Sequence, residues 1–483
     1  MNKIEIPNKE MALVLQGGGA LGAYGAGAFK GLYECLNKKA TTEDQKKSQI
    51  FDIVAGTSIG AINAAVIVSY VLENQTYEGA AERLLEFWKY LSKESIVEKN
   101  PFFKYWWNYF HSINPKLASG ESARRYYSAK EFALYGVSNV FSPPQPTYDD
   151  NFYDIDNTWY RYSNEPLKKS LERFAKFPIA TTQEENQPRL ILVAVDVADG
   201  IPVTFDSYPK EDGTRKTEYG RFLNHKNKEI GFEHIIRYDK GITSDHVIAS
   251  GSFPVNFDFS KIEVESYYSD PNNSSIDFNR TNSEKDNCYR KDIRYFWDGG
   301  LLSNTPLLQV VLLHRYYWYK IRGLNDSIPR LGICIVNLHP KKQAEIPTDR
   351  DGVINRNSDI IYSDRTQYEE AMLLLASDYI DLVRALIKLS RDNGVKSDVI
   401  NNLLNQNTRY HGEFLKAKKF LDIIEGRFQI DEIININRKN DANTISNKTF
   451  DFSIGTIKQL LELGYVDARE AFEEYTESLK RSK

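Results

Sequence analysis

The chain of 483 residues is long enough for one large domain with an extension, or for two to three domains. Hydrophobic residues make up 41% and charged residues 27% of the chain, and the net charge of -4 provides no basic surface for nucleic acid. The three cysteines, Cys35, Cys288 and Cys334, lie far apart, which suits buried thiols in a reducing compartment better than a disulfide framework.

The stretch from Met11 to Phe29 contains no charged residue and therefore resembles a membrane span or a signal sequence. Three consecutive glycines interrupt it, and each interior glycine costs a helix about 1 kcal/mol relative to alanine. Too little apolar surface remains to fill a bilayer core of roughly 30 Å. We therefore expect no signal peptide and no transmembrane segment, and a protein that is cytoplasmic or peripheral to a membrane.

Strand and helix patterns alternate at the start of the chain. A short apolar run at 11–16 ends in glycines, as a buried parallel strand does, and a helical pattern follows. A second apolar run at 51–55 leads into a second helical pattern. This β-α-β-α order predicts an α/β fold with a mostly parallel central sheet and helices on both faces.

The rest of the chain is less regular. Residues 77–188 are helical in pieces and rich in aromatic residues, which predicts a cap-like insertion with a proline-rich turn at 142–150. Residues 189–205 predict two strands joined by a turn, and the polar segment 266–292 predicts an exposed loop.

The last part of the chain, from about residue 359, is predicted to be mainly helical. An apolar stripe recurs there at alternating spacings of three and four residues, and we expect it to pack against the main domain rather than to form a free coiled coil. Its members are Met372, Leu375, Tyr379, Leu382, Leu386 and Leu389.

The stretch "GTSIG" places Ser58 between Gly56 and Gly60, where a predicted strand meets a predicted helix. This is the G-x-S-x-G pattern, in which a tight turn lifts a serine hydroxyl above the sheet as a nucleophile. The alternative is a glycine-bounded turn in which the serine only caps the helix.

Attack by a serine requires donors for the oxyanion that forms, and Gly17, Gly18 and Gly19 follow the neighbouring strand. Successive N–H groups next to a helix start form an anion-binding nest. With Gly22 the run also matches the dinucleotide pattern G-x-G-x-x-G. That interpretation requires an acidic residue after the second strand, where Ser58 stands instead, and no Gly-Lys-Ser/Thr follows to make a phosphate-binding loop.

A base is also required, and none of the seven histidines has a recognisable setting. Asp298 ends an aromatic-rich strand and is followed by Gly299 and Gly300, which leave its carboxylate approachable. An ordinary carboxylate is a weak base, but desolvation raises its basicity. The alternative is a simple Asp-Gly turn.

Three stretches, "LVLQGGGALGAYGAGAFKGL", "GTSIGAINAA" and "DGGLLSNTPL", resemble in this order the signatures of patatin-like phospholipases. The stretches "VAVDVADG" and "ASGSFPVNF" also agree with that family. The resemblance covers roughly 12–308 and implies a three-layer fold. The implied division of the chain is a hydrolase domain at 11–310, sheet completion and a linker at 311–358, and the helical extension at 359–483.

The resemblance further implies a catalytic pair without histidine, in which Ser58 is the nucleophile and Asp298 the base. The backbone of Gly17, Gly18 and Gly19 would form the oxyanion hole, and no cofactor or metal is implied. The supporting glycines of the motifs are Gly22, Gly56, Gly60, Gly299 and Gly300.

The expected activity is hydrolysis of carboxylic ester bonds in lipids such as phospholipids, lysophospholipids or acylglycerols. One alternative is an α/β-hydrolase with a Ser-His-Asp triad, for which His314, His339 and His411 are the histidines to test. A second alternative is a lipid-binding or scaffold protein without turnover.

The stretch "PFFKYWWNYF", residues 101–110, contains seven aromatic residues. The favoured interpretation is a cap element packed in the core. The alternative is an interfacial element in which Phe102, Trp106 and Trp107 touch a membrane surface.

Overall fold

A computed structural model describes residues 6–39, 50–143, 162–268, 289–408, 419–439 and 443–481, apart from residues 116, 118, 226–227, 255, 344 and 364–365. The strands are β1 Lys9–Leu15, β2 Ile53–Thr57, β3 Arg189–Asp196, β4 Ile201–Asp206, β5 Lys216–His225, β6 Lys228–Arg237, β7 Ser260–Tyr268, β8 Arg290–Asp298, β9 Arg330–Asn337 and β10 Ile430–Asn437.

The helices are α1 Gly22–Lys39, α2 Ile59–Asn74, α3 Ala80–Leu91, α4 Ile96–Lys99, α5 Phe103–Ile113, α6 Gly120–Tyr135, α7 Glu165–Phe174, α8 Ser244–Ser250, α9 Leu307–Tyr316, α10 Arg350–Tyr362, α11 Thr366–Asp392, α12 Ser397–Leu404, α13 Phe420–Ile424 and α14 Ile454–Arg481. Short helical turns cover Gly19–Leu21, Gly299–Leu301, Tyr317–Ile321 and Lys448–Phe450.

The strands form one mixed sheet in the order β10-β9-β1-β2-β3-β8-β7-β6-β5, and β4 also pairs with β3. The five strands from β10 to β3 run parallel. The remaining pairs, from β3 outward, are antiparallel. The predicted fold class is confirmed: a mixed sheet with a parallel core lies between helices.

Strand β1 illustrates why the central strands are apolar along their whole length. Leu13 and Leu15 pack into a cluster with helices α1 and α2 on one face of the sheet. Ala12 and Val14 pack into a second cluster with α9 and part of α11 on the other face. Because successive side chains of a strand point to opposite faces, a strand covered on both sides needs an unbroken apolar run.

The C-terminal region is part of this architecture. Strand β10 extends the sheet beyond β9, and α14 packs along α1, with Leu460 and Phe472 in the same cluster as Phe29. The predicted helix around residues 372–389 exists as α11, but the prediction that its stripe packs against the main domain is wrong.

The six stripe residues of α11 are 40–60% exposed. The helix packs through the adjacent row instead, where Leu373, Ala376 and Ile380 contact a cluster containing Trp318 and Phe428. Both rows have the same alternating spacing, so periodicity alone does not distinguish the buried row from the exposed one.

The insertion predicted at 77–188 contains helices α3 to α7 among the described residues. Helix α3 belongs to the main core, since Leu84, Phe87 and Trp88 are buried. Most of the predicted proline-rich turn and of the predicted loop at 266–292 lies outside the described residues.

Candidate active site

Ser58 lies between the end of β2 and the start of α2, as the G-x-S-x-G pattern predicts. Its backbone has φ 57° and ψ -127°, a strained conformation for a residue with a side chain. Its side chain makes no capping hydrogen bond to the helix. The strained turn therefore presents the hydroxyl rather than using it to cap α2.

Asp298 ends β8 and is only 2% exposed. Its carboxylate accepts a 2.7 Å hydrogen bond from the backbone N–H of Gly300. Burial raises the pKa of Asp298 to about 7, although the Ser58 side chain and the Gly300 N–H both act to lower it. The structure thus pairs the predicted nucleophile with a carboxylate whose pKa lies near neutrality.

The predicted oxyanion loop divides into a structural and an open part. Gly17 is buried, donates its N–H to the carbonyl oxygen of Asn304 at 3.2 Å, and accepts from the Asn304 side-chain amide at 3.3 Å. Gly18 and Gly19 are partly exposed, and no acceptor for their N–H groups exists among the described residues. The loop therefore offers two open donors rather than the three predicted.

The supporting glycines lie where side chains would collide. A Cβ on Gly56 would lie 2.2 Å from the carbonyl oxygen of Gly60, and one on Gly299 would lie 2.2 Å from that of Val193. A Cβ on Gly22 would lie 2.5 Å from the side chain of Ile59. These glycines let the two motif turns and the two helix starts pack closely around Ser58.

Sequence reasoning did not identify the walls of the site. Asn304 donates to the carbonyl oxygen of Tyr362 at 2.7 Å, and the Tyr362 ring packs beside Phe253 and His339. Burial raises the pKa of the Tyr362 phenol, and the charge of Asp298 raises it further. Asn304 stands inside the quoted "DGGLLSNTPL" motif, whereas Tyr362 ends α10 in the C-terminal region and has no local signal.

The turn that contains Ser58, which we call the seryl turn, is supported by Ser250 at the end of α8. Its Oγ accepts the backbone N–H of Ser58 at 2.9 Å and donates to the carbonyl oxygen of Val193 at 2.6 Å. Ser250 belongs to the "ASGSFPVNF" stretch, which resembles the family but whose sequence alone indicates no role. The structure shows that it connects the turn to β3.

The histidines named for the triad alternative have other partners. His314 lies against Glu10, near the start of β1 and roughly 20 Å from its glycine end at 3.3 Å per residue. Nδ1 of His339 lies 3.0 Å from Oδ1 of Asp359, and its Nε2 would lie 3.3 Å from a Cβ on Gly18. His411 lies outside the described residues.

The described residues contain no group of three or more histidine, cysteine or acidic side chains arranged to hold a metal ion. Within the same ranges, no helix is both long enough and apolar enough to cross a bilayer.

A family model described as patatin-like phospholipase matches residues 13–311. The match spans the glycine loop, Ser58 and Asp298. No curated protein matches the chain. Solved structures that match include the crystal structure of VipD from Legionella pneumophila, which is 13% identical with a TM-score of 0.30, over 97% of this chain and 67% of VipD. The family match covers more than half of the sequence, and the chain belongs to the patatin-like phospholipase family.

Proposed function

We propose that this protein is a serine acyl hydrolase that cleaves carboxylic ester bonds of lipids. Membership of the patatin-like phospholipases supports lipid acyl hydrolysis in general. The observation that carries the specific mechanism is the position of Ser58, on a strained turn without a capping bond, next to the buried carboxylate of Asp298, whose pKa its side chain lowers. A base with a pKa near the working pH is best matched to removing a proton from a nucleophile.

In the first half-reaction Asp298 takes the hydroxyl proton while Oγ of Ser58 attacks the ester carbonyl carbon. The resulting oxyanion accepts hydrogen bonds from the N–H groups of Gly18 and Gly19. The tetrahedral intermediate collapses, and the alcohol leaves with the proton from Asp298. Water then attacks the acyl-serine ester while Asp298 accepts its proton. As the second tetrahedral intermediate collapses, the fatty acid is released and Asp298 returns the proton to Oγ of Ser58.

The test is covalent labelling by a fluorophosphonate, which reacts with activated serines. Wild type should label, Ser58→Ala should not, and Asp298→Asn should label at least 100-fold more slowly. No labelling of the wild type, or equal labelling of Ser58→Ala, would contradict the mechanism and favour a lipid-binding protein without turnover.

The triad alternative is tested by His339→Gln, because His339 is the named histidine that lies beside the glycine loop. Loss of a triad histidine reduces catalysis by roughly 10⁴-fold or more. We expect His339→Gln to retain labelling within about tenfold, and a larger loss in a folded variant would assign the base role to histidine. His411→Ala is the corresponding test for the histidine outside the described residues.

A further inference from the structure

The apolar face of helix α5 is turned away from the protein. Six side chains, spaced by three, one, three, one and three residues, form a single outward stripe and are 50–65% exposed. These residues, which we call the aromatic face, are Phe102, Tyr105, Trp106, Tyr109, Phe110 and Ile113. The expectation that this stretch is packed in the core is therefore wrong for this face.

The opposite side of α5 makes the contacts with the protein. The rings of Phe103 and Trp107 pack against Tyr127 of α6. Asn108 accepts the backbone N–H of Gly120 at 2.9 Å, and Lys104 pairs with Glu121 at 3.1 Å. Trp107, which the sequence suggested as a membrane contact, is thus part of the packing between α5 and α6.

This arrangement is the reverse of an ordinary surface helix, whose apolar stripe faces the core. A contiguous exposed apolar surface marks a site of contact with another molecule or with lipid. Tryptophan and tyrosine carry polar tips on apolar rings and are therefore suited to a membrane–water interface. Neither α5 nor Phe102 contributes an acidic side chain, and the charge of Lys104 is paired.

The aromatic face is fixed to the same segment that supports the glycine loop. Arg124 of α6 donates to the side chains of Ser453 and Thr456, both at 2.8 Å. A few residues earlier, the carbonyl oxygen of Thr449 would lie 2.5 Å from a Cβ on Gly19. Another surface that contacts the aromatic face would therefore be held in a defined position relative to the candidate site.

We propose that the aromatic face of α5 docks on the surface of a lipid aggregate, a bilayer or micelle, and brings the candidate site to its substrate. This inference rests on the proposed function for the choice of a lipid over a protein partner. The contact is made by rings at the headgroup level, so it does not require anionic lipid.

The test measures co-flotation with phosphatidylcholine vesicles in the Ser58→Ala background, so that binding is separated from turnover. Ser58→Ala should bind, and adding Trp106→Ser and Phe110→Ser should weaken binding at least tenfold while thermal unfolding is unchanged. Raising the salt from 0.05 to 0.5 M should change binding by less than threefold.

The matched control removes two exposed apolar side chains elsewhere, Leu382→Ser and Leu386→Ser on α11, and should bind as Ser58→Ala does. The proposal is overturned if Ser58→Ala does not bind these vesicles, or if adding Trp106→Ser and Phe110→Ser leaves its binding unchanged. Loss of binding in the α11 control would overturn it as well. Binding only to phosphatidylserine vesicles and only at low salt would also overturn it. Fluorophosphonate labelling of the wild type tests the proposed function separately.

Discussion

The backbone N–H of Ser58 donates a 2.9 Å hydrogen bond to Oγ of Ser250, although 192 residues separate them in the chain. The same Oγ donates to the carbonyl oxygen of Val193 in β3. A single hydroxyl therefore holds the strained seryl turn against the centre of the sheet. This contact gives the "ASGSFPVNF" stretch a physical role within the candidate site.

Ser250→Ala should consequently impair Ser58 without removing any group of the proposed mechanism. It leaves a buried N–H and a carbonyl oxygen without their partner, which costs about 1 to 3 kcal/mol of stability. We expect fluorophosphonate labelling to slow about tenfold. The matched control is Ser252→Ala, because Ser252 bonds Ile248 and Ser260 rather than the turn. Equal slowing in both variants would contradict a specific role for Ser250.

The raised pKa of Asp298 predicts the pH dependence of the free enzyme. Below its pKa of about 7 the carboxyl group is protonated and cannot accept the Ser58 proton. Labelling and kcat/KM should therefore rise about tenfold per pH unit up to pH 7 and level off above pH 8. A profile that is flat between pH 5 and 8 would exclude Asp298 as the titrating base.

The same pKa predicts a cost in folding stability. Because the folded state holds the Asp298 proton more tightly than the unfolded state, rising pH between about 4 and 7 destabilises the folded protein. Asp298→Asn removes this titration. Relative to wild type, the variant should gain about 4 kcal/mol of unfolding free energy between pH 4 and pH 8, from a shift of about three pKa units. Urea unfolding of wild type and Asp298→Asn at both pH values measures this gain. The same pH dependence of the unfolding free energy in both proteins would contradict the prediction.

Gly19 has φ +56° and lies against the carbonyl oxygen of Thr449, 2.5 Å from where a Cβ would stand. Gly19→Ala must move either the loop or the Thr449 segment, and we expect labelling to fall at least 100-fold. Gly25→Ala is the matched control, since its Cβ would meet its nearest atom, Nδ2 of Asn63, at 3.4 Å. The control should label normally and change stability by no more than about 1 kcal/mol. Normal labelling of Gly19→Ala would show that the loop conformation is not required.

A buried cation from the C-terminal region supports the same loop. Nζ of Lys448 lies 2.5 Å from Oδ1 of Asp359, the partner of His339, and 2.7 Å from Oδ1 of Asn355. Burial and the charge of Arg438 lower the pKa of Lys448 to about 8. Lys448→Met leaves Asp359 buried without its cation and should cost about 3 to 5 kcal/mol.

Adding Asp359→Asn to Lys448→Met should recover part of that loss, because the uncompensated charge is then removed. Chemical denaturation of the three variants measures the coupling between the two residues. Additive losses would contradict a direct pairing of Lys448 with Asp359.

The local sequence was sufficient to predict the parts of the site that lie at strand ends. Apolar runs followed by glycines located β1 and β2, and the motifs located Ser58, Asp298 and the glycine loop. This worked because an unbroken apolar run identifies a strand buried on both faces, and short turns with glycines require particular residues at fixed spacing. Spacing alone allowed several interpretations of these residues, and the family resemblance supplied their expected roles.

Tertiary structure decided which of several equivalent faces is buried and which distant groups meet. Helix α11 has two apolar rows with the same spacing, and the sequence of α5 does not indicate which of its aromatic side chains face the protein. Only packing against neighbouring elements determined which of these side chains are exposed. The pKa of Asp298, the use of the Gly17 N–H by Asn304, and the support from Ser250 and Lys448 all depend on contacts between residues far apart in the chain. Local sequence therefore specified the chemistry of the candidate site, and long-range packing specified its electrostatics and its surroundings, because burial and through-space contacts have no fixed separation along the chain.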